Sequence, residues 1–262
     1  MANEIKIRFV DKSGLGVVQT WPIELAKDVE SISDVQKEKM GNDHFTACPG
    51  ISDYRNQGWI MRAWTDIHVY ASEKDTMIYY GDPHPDKKRD HMIDGIFREA
   101  CPVHPMTESG KGLSQDIPRH LPIKSDLMYP KPMHFTTPWA VESPDVSLAL
   151  MPAYYHGDTA KKLHLYPGII DINNGFNTMN MIACPVQSGK FVIRSGTPLM
   201  HIIPLQKGKF KSICQLADKN DMNKAQGQSA GTDRQWYRRL FMKKNKIKHI
   251  IDNVSNHEFF KN

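Results

Sequence analysis

The spacing of apolar positions changes period several times along the chain. EIKIRFV and LGVVQTW, within residues 4 to 21 and joined by DKSG, alternate apolar and polar side chains, and Gly14 suits a turn, so a first β-hairpin is predicted. In DVESISDVQKEKM, residues 28 to 40, Val29, Ile32 and Val35 recur at helical spacing and the run stops at Gly41, which predicts a short amphipathic helix capping a sheet. Residues 48 to 82 hold two β-rich runs around the polar turn SEKD. There Trp59, Met61 and Ala63 fall on one face and Ile60, Arg62 and Trp64 on the other, as in a strand covered on both sides or one whose outer face meets a partner.

From 83 to 132 the pattern gives way to proline, histidine and charge, with one helical island at KRDHMIDGIFREA, residues 88 to 100. A segment of that length is read as an excursion over the core or an arm reaching a neighbour. Residues 134 to 216 are β-rich again, in seven runs: HFTTPWAVESP, DVSLALMPAYY, KLHLYPGIIDI, TMNMIACPV, KFVIRSG, PLMHIIPL and FKSICQL. Many short strands with turn residues between them predict a sandwich or barrel. After residue 232, Trp236, Leu240, Ile247 and Ile251 can share one helical stripe. The chain thus divides into a β-rich part (1–82), a Pro/His-rich excursion (83–133), a β core (134–217) and a linker with a basic C-terminal helix (218–262).

Composition narrows this picture only slightly. A chain of 262 residues with 40% hydrophobic and 24% charged residues is that of an ordinary globular protein able to bury a large core. No window reaches the roughly 18 to 20 apolar residues of a membrane helix, and MANEIKIRFV has no signal-peptide pattern, so a cytosolic protein without membrane contact is expected. Cys48, Cys101, Cys184 and Cys214 form no C-x-x-C pair and are read as reduced, mostly buried thiols; three precede proline, which predicts extended backbone at strand ends.

Charge adds one polarised feature. The net charge is +5, and RQWYRRLFMKKNKIKH, residues 234 to 249, contributes seven Lys/Arg and no acid. Trp236, Arg238, Arg239, Lys243 and Lys244 are therefore candidate partner-binding residues, for an acidic protein surface first and nucleic-acid phosphates second. Trp59, Trp64, Tyr79 and Tyr80 are read as core aromatics in preference to a base-stacking platform. His84, Asp86, Asp90 and His91, with His104, His120 and His134 further on, are of types that bind zinc, iron or manganese. Their spacing in DPHPDKKRDH matches no established site, so no metal and no cofactor is expected, and a cupin-like 2-His-1-carboxylate oxygenase ranks third among the readings.

Two resemblances add to this. LYPGIIDINNGFNTMNMIACPV (165–186) and GKFVIRSGTPLMHIIPL (189–205) resemble neighbouring motifs of the dUTPase and dCTP deaminase β-clip superfamily. That implies a β-clip or jelly-roll-like core, with Asp171 at the acidic position and Gly196, Thr197 and His201 in the phosphate-turn region. Thr197 and Pro198 stand where that superfamily has Asp-Arg, His201 stands where a glutamine is expected, and its Ala-Gly-Tyr-Asp segment and glycine-rich arm are missing. Over residues 48 to 206, CPGISDYRNQGWIMRAWTDIHVY, MHFTTPWAVESPDVSLALMPAYY, PGIIDINNGFNTMNMIACP and IRSGTPLMHIIPL resemble, in order, an uncharacterised family common in tailed bacteriophages. The expectation is a phage structural or assembly protein. It would bind other phage structural proteins or itself, in the host cytoplasm during assembly and then in the virion. The alternative is a divergent dUTPase-like nucleotide-binding enzyme or sensor.

Overall fold

The computed structural model describes residues 4–31, 48–72, 76–81, 88–105, 132–143, 146–172, 175–186 and 188–230. Two compact units divide the chain, residues 1–218 and 219–262. The first is mainly β, with a sandwich-like core built from three sheets and a few short helices. In chain order its elements are β1 (Glu4–Asp11), α1 (Val17–Thr20), β2 (Glu24–Leu25), a 3-10 turn (Ala26–Asp28), α2 (Pro49–Asn56), β3 (Trp59–Arg62), β4 (Ile67–Ala71), β5 (Thr76–Tyr80), α3 (Lys88–Ala100), β6 (Val103–Pro105), β7 (Met133–Ser143), β8 (Ser147–Pro152), α4 (Thr159–Lys162), β9 (Leu163–Leu165), β10 (Gly168–Asp171), β11 (Gly175–Pro185), β12 (Gly189–Ile193), β13 (Pro198–Pro204) and β14 (Lys209–Leu216). The second unit contains α5 (Lys219–Ala230).

The large sheet runs β14-β1-β7-β11-β9, with β6 also on β7; the second runs β10-β8-β13-β3-β2; the small third sheet runs β12-β4-β5. Only β1 with β14 is a parallel pair among the described strands. Alternation puts Ile7 and Phe9 of β1, Phe135, Trp139 and Val141 of β7, and Trp59 and Met61 of β3 into one core. Phe9 meets the Trp59 ring edge to face, centroids 5.5 Å apart, and this contact joins the large sheet to the second. Ile60 packs on the other face of β3 with Ala26, Val29 and Ala153, so β3 is covered on both sides, the first of the two arrangements its sequence allows. Trp59, Trp64 and Tyr80 are core residues, whereas Tyr79 is half exposed.

Several expectations are corrected. LGVVQTW is not the second strand of a hairpin. Asp11 accepts the Ser13 N–H and hydroxyl (3.0 and 2.5 Å) on one oxygen and the Val18 N–H (3.0 Å) on the other, which winds residues 17–20 into a helical turn after Gly16 at φ 69°. β1 pairs instead with β7 and β14, both remote in sequence. A helix absent from the sequence reading, α2, follows Cys48 with Pro49 in its first turn, so this Cys-Pro begins a helix, not a strand end. Of the cysteines, Cys101 and Cys184 are buried, Cys214 is intermediate and Cys48 exposed, all as free thiols. KLHLYPGIIDI yields two strands in different sheets, β9 and β10, separated at Tyr166 and Pro167. α5 lies within 218–262, the part read as a linker with a basic C-terminal helix. The helix expected at 28–40 falls partly on the 3-10 turn, and 32–40 lies outside the described residues. The helical island at 88–100 appears as α3, with the expected bounds.

Candidate functional site

The phosphate-turn candidate sits where two strands change sheets together. β3 and β13 pair in the second sheet, β4 and β12 in the third, and the links 63–66 and 194–197 turn the corner side by side. Ala63 N–H donates to Thr197 O, and Gly196 N–H to Ala63 O, both at 2.8 Å. Thr197 N–H closes a turn on Arg194 O at 3.0 Å, with Gly196 at φ 80°, a value that suits glycine. A β-carbon on Gly196 would lie 2.4 Å from the Trp21 ring, so the indole closes directly over the turn while its N–H donates to Ser195 Oγ at 2.8 Å.

An internal anion occupies the turn's free donor. Asp66 accepts the Ser195 N–H at 2.7 Å and an Arg194 guanidinium N–H at 2.6 Å. Burial pushes the Asp66 carboxyl up, but those hydrogen bonds and the Arg194 charge outweigh it and hold the group below the usual carboxylate range. Arg62 adds a hydrogen bond to Gly196 O at 2.9 Å and an ion pair with Glu24 at 2.5 Å. A phosphate on this turn would have to displace Asp66 and would face its charge.

The other nucleotide candidates lie elsewhere. Asp171 ends β10, paired with Ser147, whose hydroxyl donates to it at 3.2 Å. Gly196 and Asp171 stand at opposite ends of the seven-residue β13, a span of roughly 20 Å. Any site using both must therefore draw on two copies of the chain. His201 is fully buried on the outer face of the second sheet, and its Nε2 lies 2.6 Å from Gln57 O.

Around His201 is a polar cluster that sequence reading missed. His156 Nε2 lies 3.2 Å from Arg55 O, and its ring meets His201 at right angles with centroids 5.5 Å apart. Tyr54 of α2 packs edge-on to His201 at 4.9 Å and to Tyr155 at 5.8 Å, and Arg55 donates to Ser31 Oγ at 3.2 Å. Tyr54 Oη and His201 Nδ1 have no hydrogen-bond partner among the described residues. Burial lowers both histidines, His201 to about 4, and pushes the Tyr54 hydroxyl up to about 12. The imidazoles are thus neutral at pH 7. Residues 54–57, 156 and 201 meet only through folding, and no local spacing signals them.

Of the metal candidates, His84, Asp86 and His120 lie outside the described residues, Asp90 and His91 are on α3, His104 on β6 and His134 on β7. Among the described residues no three His, Cys, Asp or Glu side chains gather as a metal site would require. Trp236, Arg238, Arg239, Lys243 and Lys244 lie outside the described residues. Among the described residues no helix is long and apolar enough to cross a membrane.

The outer face of the second sheet differs from the corner in being unfinished. Direct cross-strand partners Ile169 (β10), Ala149 (β8) and Ile203 (β13) form an apolar row on that face, and Leu205 continues it past the end of β13. Ile169 is 68% exposed and Leu205 52%. β10 pairs only with β8, so its outer edge meets no other described strand. No protein-family model, curated protein or solved structure matches the chain.

Proposed function

We propose that this chain is an assembly protein that associates with a second copy of itself through the β10 edge, as a structural or morphogenetic component of a tailed bacteriophage. The observation that carries the reading is the apolar row of exposed Ile169 and Leu205 with partly buried Ala149 and Ile203, beside an open strand edge. Strand edges of soluble proteins are commonly guarded by lysine, as β14 is by exposed Lys209 and Lys211; β10, GIID, has no such guard. Apolar surface beside unpaired backbone favours strand addition by a second chain. The phage context is supported by the ordered sequence pattern over 48–206.

The test is sedimentation velocity of the full chain over a concentration series, with Ile169→Lys alongside, and a search for the chain in purified phage particles. A discrete oligomer that Ile169→Lys dissociates, together with the chain in particles, is the expected result. A monomer at every concentration would remove the self-association reading. The competing nucleotide-binding reading has weaker support because Asp66 and Trp21 fill the turn that would hold phosphate. It predicts that deoxynucleotides with magnesium raise the melting temperature and that Asp171→Ala abolishes the rise.

A further inference from the structure

The helix α2 lies on the second sheet without an apolar anchor in the core. Of its eight residues only Arg55 is buried, and none belongs to either apolar cluster. What ties it down is polar and aromatic. The His156 and His201 imidazoles reach the carbonyls of Arg55 and Gln57 at its C-terminal end, and the Tyr54 ring packs on those of His201 and Tyr155. A carbonyl can only accept, so each Nε2 carries the hydrogen and each Nδ1 holds a lone pair. Both Nδ1 atoms are buried without a hydrogen-bond partner among the described residues. The tie is therefore made by two neutral rings. A proton on either Nδ1 creates a buried donor with no acceptor, and protons on both place two cations in ring contact, centroids 5.5 Å apart, beside the buried Arg55.

Among the described residues no carboxylate stands ready to offset those charges. On α2, Asp53 is exposed, and on the stretch 26–31 so are Lys27, Asp28 and Glu30. Beyond the 153–156 loop Asp158 pairs with Lys162, and on β2 and β3 Glu24 pairs with Arg62. β8 and β13 carry no titratable side chain besides His201. The remaining titratable neighbours are Tyr154, Tyr155 and Tyr54, whose hydroxyl burial pushes up to about 12. Burial lowers both imidazoles against the backbone carbonyls that favour the charged rings, and is joined by the Arg55 charge at His156 and by His156 at His201.

We propose that His156 and His201 form an acid-operated latch: their protonation releases α2 from β13 while the sheets stay paired, and uncovers the cross-strand row Ile60, His201 and Met151. β13 is bonded on both sides, to β3 and β8, and cannot yield without breaking the sheet; α2, with no side chain in the core, can. The latch is closed above pH 6.5, where the imidazoles are neutral whether covered or wet, and opens as pH falls toward 4. It uses no contact of the β10 edge and is independent of association there.

Hydrogen–deuterium exchange of the full chain across this range, expressed as protection relative to the unstructured rate at each pH, tests the latch. Amides of residues 51–57 should lose about 10- to 100-fold in protection between pH 6 and pH 5, a factor of about ten for each proton taken up, while those of β7 and β13 stay protected. His156→Gln with His201→Gln keeps a donor for each carbonyl and cannot be protonated, so its α2 protection should not vary with pH. Glu30→Gln with Asp53→Asn should respond as wild type. Constant wild-type protection at 51–57, loss spread evenly over β7 and β13, or a response abolished by Glu30→Gln with Asp53→Asn overturns the proposal. Should the double glutamine variant be open at every pH, NMR titration of the wild-type imidazoles decides: both must take up protons over the range in which α2 loses protection, and titration outside that range overturns the latch.

Discussion

The outer face of the β10-β8-β13-β3-β2 sheet is treated differently in its two halves. Over β3 and β13 it is roofed by α2 and the chain around residues 26–31 and 153–156, which bury Ile60, His156 and His201. Over β8 and β10 it leaves Ile169 exposed, with Ala149 and Ile203 partly buried beside it. The roofed half encloses polar groups that want water, and the open half exposes apolar groups that do not. The roofed half thus holds its polar groups inside the protein, and the apolar surface open to association lies at β10.

Disturbing the roof should have the largest effect. Gly58, at φ 79°, lets the backbone close onto β13, and a β-carbon there would stand 2.0 Å from Ile202 O. Gly58→Ala should cost about 3 to 5 kcal/mol, from the left-handed backbone and the clash with main chain that cannot move aside. Urea unfolding monitored by tryptophan fluorescence would show it as a lowered midpoint with unchanged slope.

Acid should act on the same half. His201 is lowered from 6.5 to about 4, first by burial, and His156 is lowered in the same direction and for the same first reason. Between these values the unfolded chain binds protons that the folded one does not, so stability is full above pH 6.5 and is lost as pH falls toward 4. For His201 the loss is on the order of 3 kcal/mol. His201→Gln, with an amide that can still donate to Gln57 O, should flatten the stability profile between pH 6.5 and 4. An unaltered profile in that variant would assign the acid sensitivity to other groups.

The open half should respond in the opposite way. Ile169→Lys should weaken self-association at least about 10-fold while changing the stability of the separated chain by less than about 0.5 kcal/mol, because the residue is exposed. Concentration-dependent sedimentation beside thermal melts separates the two quantities. The smallest effect is expected at the corner. Asp66→Asn keeps an oxygen for the Ser195 N–H but loses the charge facing Arg194, a partner with a 73% exposed side chain, so about 1 kcal/mol or less should be lost, and less still in high salt.

The sequence by itself determined where most strands and one long helix lie. In the β core, period-two alternation marks β7, β8 and β11 to β14, because a strand with one buried face must place apolar side chains at every second position. α3 was legible from its 3.6-residue period, and the two-sided burial of β3 from large side chains at successive positions. Local competition hid other elements: the Asp11 carboxylate turns an apparent strand into α1, and Pro49 starts a helix inside a segment read as β-rich. Only the tertiary structure decided which strands pair. β1 lies beside β14, about two hundred residues away, and β12 and β13 part company at a turn that looks local and joins two sheets. The same is true of the candidate surface. Ile169 and Ile203 share a face because β8 lies between their strands. His156 and His201 meet because a loop folds back over β13. Pattern along the chain records which side of an element is apolar; which element covers that side depends on contacts between residues far apart, and these leave no periodic trace.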